Sequence, residues 1–234
     1  MNAVKFIATG FIFILVLVTG ALKADTEYTF DLSSRYIWRG FDLNPDNKPV
    51  LQPGITRAFG KNGFSLNLWG SFSFEDRELN EIDISLSYDV NLSENISMSA
   101  GLTHYGWYFT RGFRFSRDTS HEIYLSATHS GNLMDTSFSV CFDFDKGDGF
   151  YFLLEGAKSF RLSDKTGLDL SASLGYNAGQ WIDGSGFSDI VMSAALPTVL
   201  DAVTVSPFLN MAFILMDEVN PSNSEIWFGV SVSF

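Results

Sequence analysis

The last ten residues constrain the fold most, because every second side chain up to the terminal phenylalanine is apolar. One face carries Ile226, Phe228, Val230, Val232 and Phe234. The other face carries Glu225, Trp227, Gly229, Ser231 and Ser233. Successive side chains of a strand point to opposite faces, so the segment predicts a strand with one apolar and one mostly polar face.

The same alternation recurs along the chain. Between Glu81 and Val90, carboxyl and hydroxyl side chains alternate with isoleucine, leucine, tyrosine and valine. A helix would scatter those polar groups around its axis, so the period of two favours a strand. The predicted strands are 28–39, 51–59, 64–74, 81–90, 96–108, 121–130, 136–144, 150–160, 168–176, 188–196, 203–213 and 226–234. About twelve strands, an even number, predict an all-β fold: a closed antiparallel transmembrane β-barrel with both chain ends on one side.

The connections between these strands alternate in character, as they do in such barrels. Short turns are predicted at 60–63, 91–95, 131–135, 161–166 and 197–202. The opposite set includes the longest connections and comprises 40–50, 75–80, 109–120, 145–149, 178–187 and 216–224. Short turns belong on the periplasmic side and long loops outside the cell.

The first 24 residues have the pattern of an export signal. Lys5 precedes an apolar run from Phe6 to Val18, and small residues near Ala21 and Ala24 offer a cleavage site. The run is shorter than the roughly 20 apolar residues of a membrane-spanning helix. We therefore predict a cleaved signal peptide at residues 1–24 and a single barrel domain at residues 25–234.

Charge and cysteine content narrow the function further. With the signal the chain loses Lys5 and Lys23, so its net charge falls from −12 to about −14. This acidity argues against a nucleic-acid partner. Cys141 is the sole cysteine, which excludes an intrachain disulfide. No motif for a metal, nucleotide or other cofactor is present, so none is predicted.

A family resemblance rests on the run from Ser33 to Asp42 and on the run from Asp46 to Gln52. In these runs an aromatic-x-aromatic-Arg-Gly sequence precedes an Asp-Asn-x-Pro sequence, and both resemble the N-terminal signature of the TorF-type porin family. Arg35 and Trp38 stand where that family more commonly has an acid and a phenylalanine. The resemblance implies an outer-membrane barrel of a Gram-negative bacterium, and the terminal Phe234 resembles the signal that the outer-membrane assembly machinery recognises.

If the apolar face meets lipid, the polar face lines the barrel interior. The residues predicted to line a pore are Asp31, Arg35, Arg39, Trp69, Glu81, Asp83, Asp89, Glu122, Cys141, Asp143, Glu155 and Asp169. Carboxylates outnumber cations on this face, which predicts a narrow, cation-preferring channel for small hydrophilic solutes or ions. The alternative is a plugged, non-conducting barrel that displays loops, in which the acids neutralise Arg35 and Arg39.

Other interior and loop residues leave further alternatives open. Four aromatic residues in the interior register could stack on sugar or nucleoside rings or simply fill space, namely Trp69, Tyr105, Trp107 and Tyr151. Three arginines in loop 109–120 could fold inward, bind lipopolysaccharide phosphates or remain solvated, namely Arg111, Arg114 and Arg117. A lipid-modifying enzyme is the least favoured reading, because no nucleophile lies two residues from His104 or His129. The solute and the oligomeric state are left open.

Overall fold

The computed structural model describes residues 26–45, 48–60, 63–111 and 114–234, so the predicted signal peptide lies outside the described residues. Fifteen strands occur in these ranges, and none of the described residues forms a helix long and apolar enough to cross a membrane. The strands are β1 (Thr26–Ser33), β2 (Ile37–Trp38), β3 (Phe41–Asp42), β4 (Val50–Ala58), β5 (Phe64–Ser73), β6 (Glu78–Asn91), β7 (Ile96–Arg111), β8 (Arg114–Ser130), β9 (Asp135–Asp143), β10 (Gly149–Arg161), β11 (Gly167–Ala178), β12 (Ser185–Ala195), β13 (Thr198–Leu200), β14 (Val203–Ile214) and β15 (Ser224–Ser233).

Twelve of these strands form one closed antiparallel barrel. Strands β4 to β12 pair in chain order, β12 pairs with β14, β14 pairs with β15, and β15 pairs with β1, which pairs with β4. The closing pair runs from Thr29↔Ser233 to Ser33↔Gly229. The predicted fold class and strand number are therefore confirmed. We call the end with the chain termini and the short turns the turn end, and the opposite end the loop end.

The barrel is apolar outside and polar inside, the reverse of a water-soluble protein. Leu32 and Phe228 on the outer face are 49% and 62% exposed, whereas Asp143 and Asn177 on the inner face are fully buried. Contact between such an apolar exterior and water is unfavourable in free energy, whereas contact with lipid is favourable. The outer face is that of a barrel that crosses a bilayer.

The first strand is shorter than the sequence pattern predicts. β1 ends at Ser33, and Ile37–Trp38 and Phe41–Asp42 form a separate small hairpin. Its two turn residues, Arg39 and Gly40, have φ angles of 51° and 84°, as type I′ hairpin turns require. The chain therefore leaves the wall at Ser33. We call residues 34–49 the inserted segment, of which 46–47 are not among the described residues.

The predicted loop at 109–120 is also wrong. β7 and β8 stay paired as far as Arg111↔Arg114, so they form one long hairpin at the loop end. Backbone hydrogen bonds between paired strands form whatever the side chains are, so they need no alternation of apolar and polar residues. Where a strand extends beyond the bilayer, neither face meets lipid, and the sequence shows no alternation that would identify the strand. The side chains of residues 108–117 lie outside the description, and with them the predicted roles of Arg111, Arg114 and Arg117.

Candidate solute pathway

Arg39 fixes the inserted segment inside the barrel. Its guanidinium donates two hydrogen bonds to the Glu122 carboxylate, at 2.5 and 2.8 Å, and a third of 2.5 Å to Gln180. The same group lies 4.5 Å from the Trp38 ring centre and 4.7 Å from that of Tyr151. A bidentate pair with two flanking rings is a strong, geometrically specific way to hold an arginine. The predicted pore-lining residue Arg39 thus lies on the inserted segment, and not on β1.

Glu122 on β8 is the acceptor around which this cluster is built. It is almost fully buried. Besides Arg39 it accepts a 3.1 Å hydrogen bond from the Tyr105 hydroxyl and one of 2.9 Å from the Gln180 amide. A buried carboxylate is tolerated when its oxygens are satisfied in this way. Glu122 therefore acts as an anchor for the inserted segment.

Arg35 ties the start of the inserted segment to the wall. It forms an ion pair with Glu225 on β15 and lies 3.8 Å from Asp42. The Asn220 amide, in the connection between β14 and β15, bonds both Glu225 and the Gly40 carbonyl oxygen, at 3.2 and 3.3 Å. Arg35 also belongs to the inserted segment, which corrects its predicted place in the first strand. The segment is anchored on opposite sides of the lumen.

A third anchor joins Tyr36 to β6. Its hydroxyl donates a 2.9 Å hydrogen bond to Glu81. Burial raises the pKa of Tyr36 well above its ordinary value, and the charges of Glu81 and Asp83 raise it further. The phenol therefore stays protonated at physiological pH and remains a donor to Glu81.

Three cavities surround the inserted segment. The outer cavity, of about 560 Å³, lies at the loop end, and the inner cavities have volumes of about 600 and 250 Å³. Trp38 lines both the outer and the larger inner cavity, while Tyr36 lines both the outer and the smaller one. The two aromatic side chains stand between the two ends of the lumen. A solute that passed from one end to the other would have to pass these two side chains.

The remaining predicted pore residues fall into separate groups. Glu81 lines the outer cavity, and four other residues line the inner ones, namely Asp31, Trp69, Cys141 and Glu155. Asp83 is buried, and its carboxylate accepts a weak 3.4 Å bond from the Gly106 amide. Asp89 is exposed near the turn end, where its amide bonds Gly63, and Asp169 is half-buried near the same end.

Asp143 has a local structural task. It is fully buried and accepts hydrogen bonds of 2.6 and 2.8 Å from the Ser120 hydroxyl. It also accepts bonds from the backbone amides of Asp145 and Gly147. Its carboxylate therefore organises the connection between β9 and β10 and lines none of the three cavities.

Sequence reasoning missed Gln180 and Asn220, which hold the tip of the inserted segment. Both are buried, although both lie in connections between strands. Strand alternation assigns faces only within strands, so no periodic signal marks a loop residue that folds inward. Gln180 is positioned by Asn177, which bonds its backbone amide at 2.8 Å and its carbonyl at 3.0 Å.

Two loop-end connections touch through glycines beside Gln180. A Cβ atom at Gly149 would lie 2.4 Å from the carbonyl carbon of Gly179 and from the amide nitrogen of Gln180. Real Cβ atoms essentially never come that close to backbone, so a side chain at Gly149 would force the two connections apart. The 179–181 connection also bonds the other one directly, since the Trp181 amide donates to Gly147.

Two of the three histidines lie close together. His104 and His121 lie 3.0 Å apart between ring nitrogens, and His121 also lies 3.0 Å from Asp145. The cross-strand partners of His104 are Ile84 and His121, neither of which carries a hydroxyl or thiol group, whereas those of His129 are Ile96 and Thr136. Among the described residues, no group of three or more potential ligands has the arrangement of a metal site.

Comparison with known proteins identifies the architecture. No family model and no curated protein sequence matches the chain. Solved structures do match, among them the "KdgM porin", with 13% identity, a TM-score of 0.59, and coverage of 89% of this chain and 98% of that one. The "NanC porin" matches with 11% identity, a TM-score of 0.55, and coverage of 88% and 98%. The "COG4313 outer membrane channel from Pseudomonas putida F1" matches with 10% identity, a TM-score of 0.53, and coverage of 91% and 96%. The class defined here is therefore a twelve-stranded barrel with the fold of outer-membrane porins and channels.

Proposed function

We propose that the chain is an outer-membrane channel for the passive diffusion of small hydrophilic solutes or ions, with a preference for cations. One observation carries this proposal: cavities lined by both aromatic and polar side chains lie on both sides of the inserted segment, with Tyr36 and Trp38 between them. A barrel built only to display loops has no need of such cavities. The names of the similar structures, two porins and a channel, agree with this function.

Charge supports the cation preference. Six carboxylate residues of the inner face are buried, namely Glu81, Asp83, Glu122, Asp143, Asp189 and Glu225. The inserted segment brings two arginines to them, Arg35 and Arg39, and each is already paired. Fixed negative charge in a low-dielectric tube raises the local concentration of cations. One similar porin is described in complex with oligogalacturonate, but an acidic lumen of this kind does not favour such a polyanion.

The site of action follows from the fold. A barrel with an apolar exterior needs outer-membrane lipid around it, lipopolysaccharide at its loop end and the assembly machinery for insertion. We propose these as its partners and the Gram-negative outer membrane as its location. Catalysis is not part of the proposal, because neither cross-strand partner of His104 carries a hydroxyl or thiol nucleophile.

Planar-bilayer recording tests the function. The purified barrel should give discrete current steps, and in a salt gradient the reversal potential should have the sign of cation preference. The preference should shrink at high salt, since the screening length falls to roughly 3 Å at 1 M. Trp38→Ala should increase the conductance, whereas Trp38→Phe, which keeps a ring there, should change it little. Anion preference would overturn the charge argument.

A second candidate is a barrel that does not conduct. The completeness of the Arg39 and Glu122 contacts favours it, because a segment anchored on several walls makes a good plug. The same recordings separate the two functions. If both the wild type and Trp38→Ala give a silent bilayer while the protein is folded, the barrel is a plugged one.

A further inference from the structure

The outer cavity has a continuous wall of aromatic rings. Phe41 and Trp38 from the inserted segment lie 6.2 Å apart between ring centres, and Trp38 lies 5.8 Å from Tyr105 on β7. Tyr105 stacks on Trp107 at 5.9 Å, and Trp107 meets Trp181 edge to face at 5.3 Å. Three separate parts of the chain thus supply one row of five rings, and all five line the same cavity.

Acidic groups share this cavity with the rings. Among the side chains that the structure describes, which do not include those of residues 108–117, four carboxylate residues line it, namely Asp76, Glu78, Glu81 and Asp118, against one cation, Lys48. Lys48 pairs with Asp76, Lys146 pairs with Asp118, and Tyr36 bonds Glu81. In the part of the chain that the structure describes, Glu78 has no such partner. Formal negative charge therefore exceeds positive charge around an aromatic wall.

The barrel already binds one cation with the same chemistry. The Arg39 guanidinium lies over Trp38 and Tyr151 and bonds a carboxylate. The face of an aromatic ring attracts a cation, and most strongly where water is partly excluded. The outer cavity shares Trp38 with that site and has carboxylates nearby, but no arginine is among the described residues that line it.

We infer that the outer cavity binds an organic ammonium ion, which the rings hold by cation–π contact and the carboxylates by charge. This inference rests on the proposed function, because it names the class of solute that the channel takes up. The volume of about 560 Å³ falls within the range of roughly 300–1,000 Å³ that is usual for small-molecule sites. A neutral sugar would use the rings but not the net negative charge, so we favour the cation.

Binding to the folded barrel in detergent tests this inference without any need for conduction. Choline is the probe, and dimethylbutanol, its uncharged carbon isostere, is the matched control ligand. Tryptophan fluorescence or calorimetry should show that choline binds about tenfold more tightly than the isostere. Equal binding of the two ligands, absence of choline binding, or tighter binding of glucose than of choline would each overturn the inference.

Two variants locate the site. Trp107→Leu should weaken choline binding about tenfold by removing the ring between Tyr105 and Trp181, and Glu78→Gln should weaken it a few-fold, less so at high salt. Trp227→Leu is the matched control, because Trp227 lines only the inner cavities, and it should leave the affinity unchanged. Glu78→Gln keeps size and hydrogen bonding, so it should fold even if Trp107→Leu does not. An equal loss in Trp227→Leu would place the site elsewhere.

Failure here and failure of the channel are distinguishable. If choline binds but no current steps are recorded, the binding site is supported and the channel function is rejected. If current steps are recorded but choline does not bind, the channel function is supported and the organic cation is rejected as its solute.

Discussion

The two halves of the lumen satisfy their polar groups by different means. At the loop end, buried carboxylates meet arginines of the inserted segment, as in the pair of Arg39 with Glu122. Toward the turn end, hydroxyls pair across neighbouring strands, as in Ser65 with Ser87 at 2.6 Å and Ser126 with Ser139 at 2.9 Å. Buried charge requires a partner from elsewhere in the chain, whereas hydroxyl pairs satisfy each other within the wall. The inserted segment therefore lies where the buried carboxylates are.

Removal of Arg39 tests this contrast with the largest expected effect. Arg39→Ala leaves Glu122 buried without its ion-pair partner, a change that typically costs about 3–5 kcal/mol. We expect a lower thermal unfolding temperature and release of the inserted segment, with a clear increase in single-channel conductance. Arg57→Ala, at the turn end, is the control and should change neither quantity strongly. An unchanged conductance would show that Arg39 does not hold the constriction closed.

Deletion of Phe234 tests the closing pair of strands at the turn end, which Phe234 joins by backbone hydrogen bonds and ring stacking. Phe234 exchanges backbone hydrogen bonds of 3.0 and 3.1 Å with Tyr28, and its ring stacks on Tyr28 at 5.3 Å. The deletion should reduce folded barrel in the outer membrane several-fold, because unpaired backbone in lipid is costly. Heat-modifiable migration of membrane fractions measures the folded amount. Equal amounts of folded wild type and variant would remove the argument that Phe234 is an assembly signal.

Cys141 reports on the boundary between the two halves. It is 8% exposed and lines the larger inner cavity beneath the inserted segment. A small water-soluble thiol reagent should label the folded wild type slowly and Arg39→Ala several-fold faster, since release of the segment admits the reagent. Mass spectrometry of the labelled protein gives both rates. Preferential labelling by a lipid-soluble maleimide would instead mean that this strand has its faces reversed.

The smallest effect is expected from the hydroxyl pairs. Ser126→Ala removes one 2.9 Å hydrogen bond to Ser139, in a cavity where water can replace it. The stability should fall by less than about 1 kcal/mol, and the ion preference should stay the same. Thermal unfolding and reversal potentials measure the two quantities. A large loss of stability would remove the distinction between the halves.

The sequence predicts the wall of the barrel better than its contents. Alternation with a period of two arises because one face of each strand meets lipid, so it identifies strands such as β6 and β15 and their orientation. It does not show where a strand leaves the wall. Tyr36 and Trp38 continue the alternation of β1, although both lie on the inserted segment. The Arg39-Gly40 turn, with both φ angles positive, is the tip of the small hairpin and does not mark the end of β1 at Ser33.

The contacts that define the site were less predictable for a physical reason. Glu122 and Arg39 both lie on the polar register, but their pairing joins residues 83 positions apart. Gln180 reaches them from a connection whose conformation depends on the neighbouring one. A sequence pattern gives the faces of strands and the excess of charge, whereas the path of an inward-folded segment depends on which distant partners satisfy it.

The glycine contact at the loop end links the position of Arg39 in the lumen to residues that do not line any of the three cavities. Gly149 leaves just enough room for the backbone before Gln180, and Gln180 bonds Arg39. Any added side chain at this position would push on the ring of connections and, through Gln180, on the arginine in the centre. If the barrel conducts as proposed, a substitution in a connection at its rim would change the aperture while every lining residue stays the same.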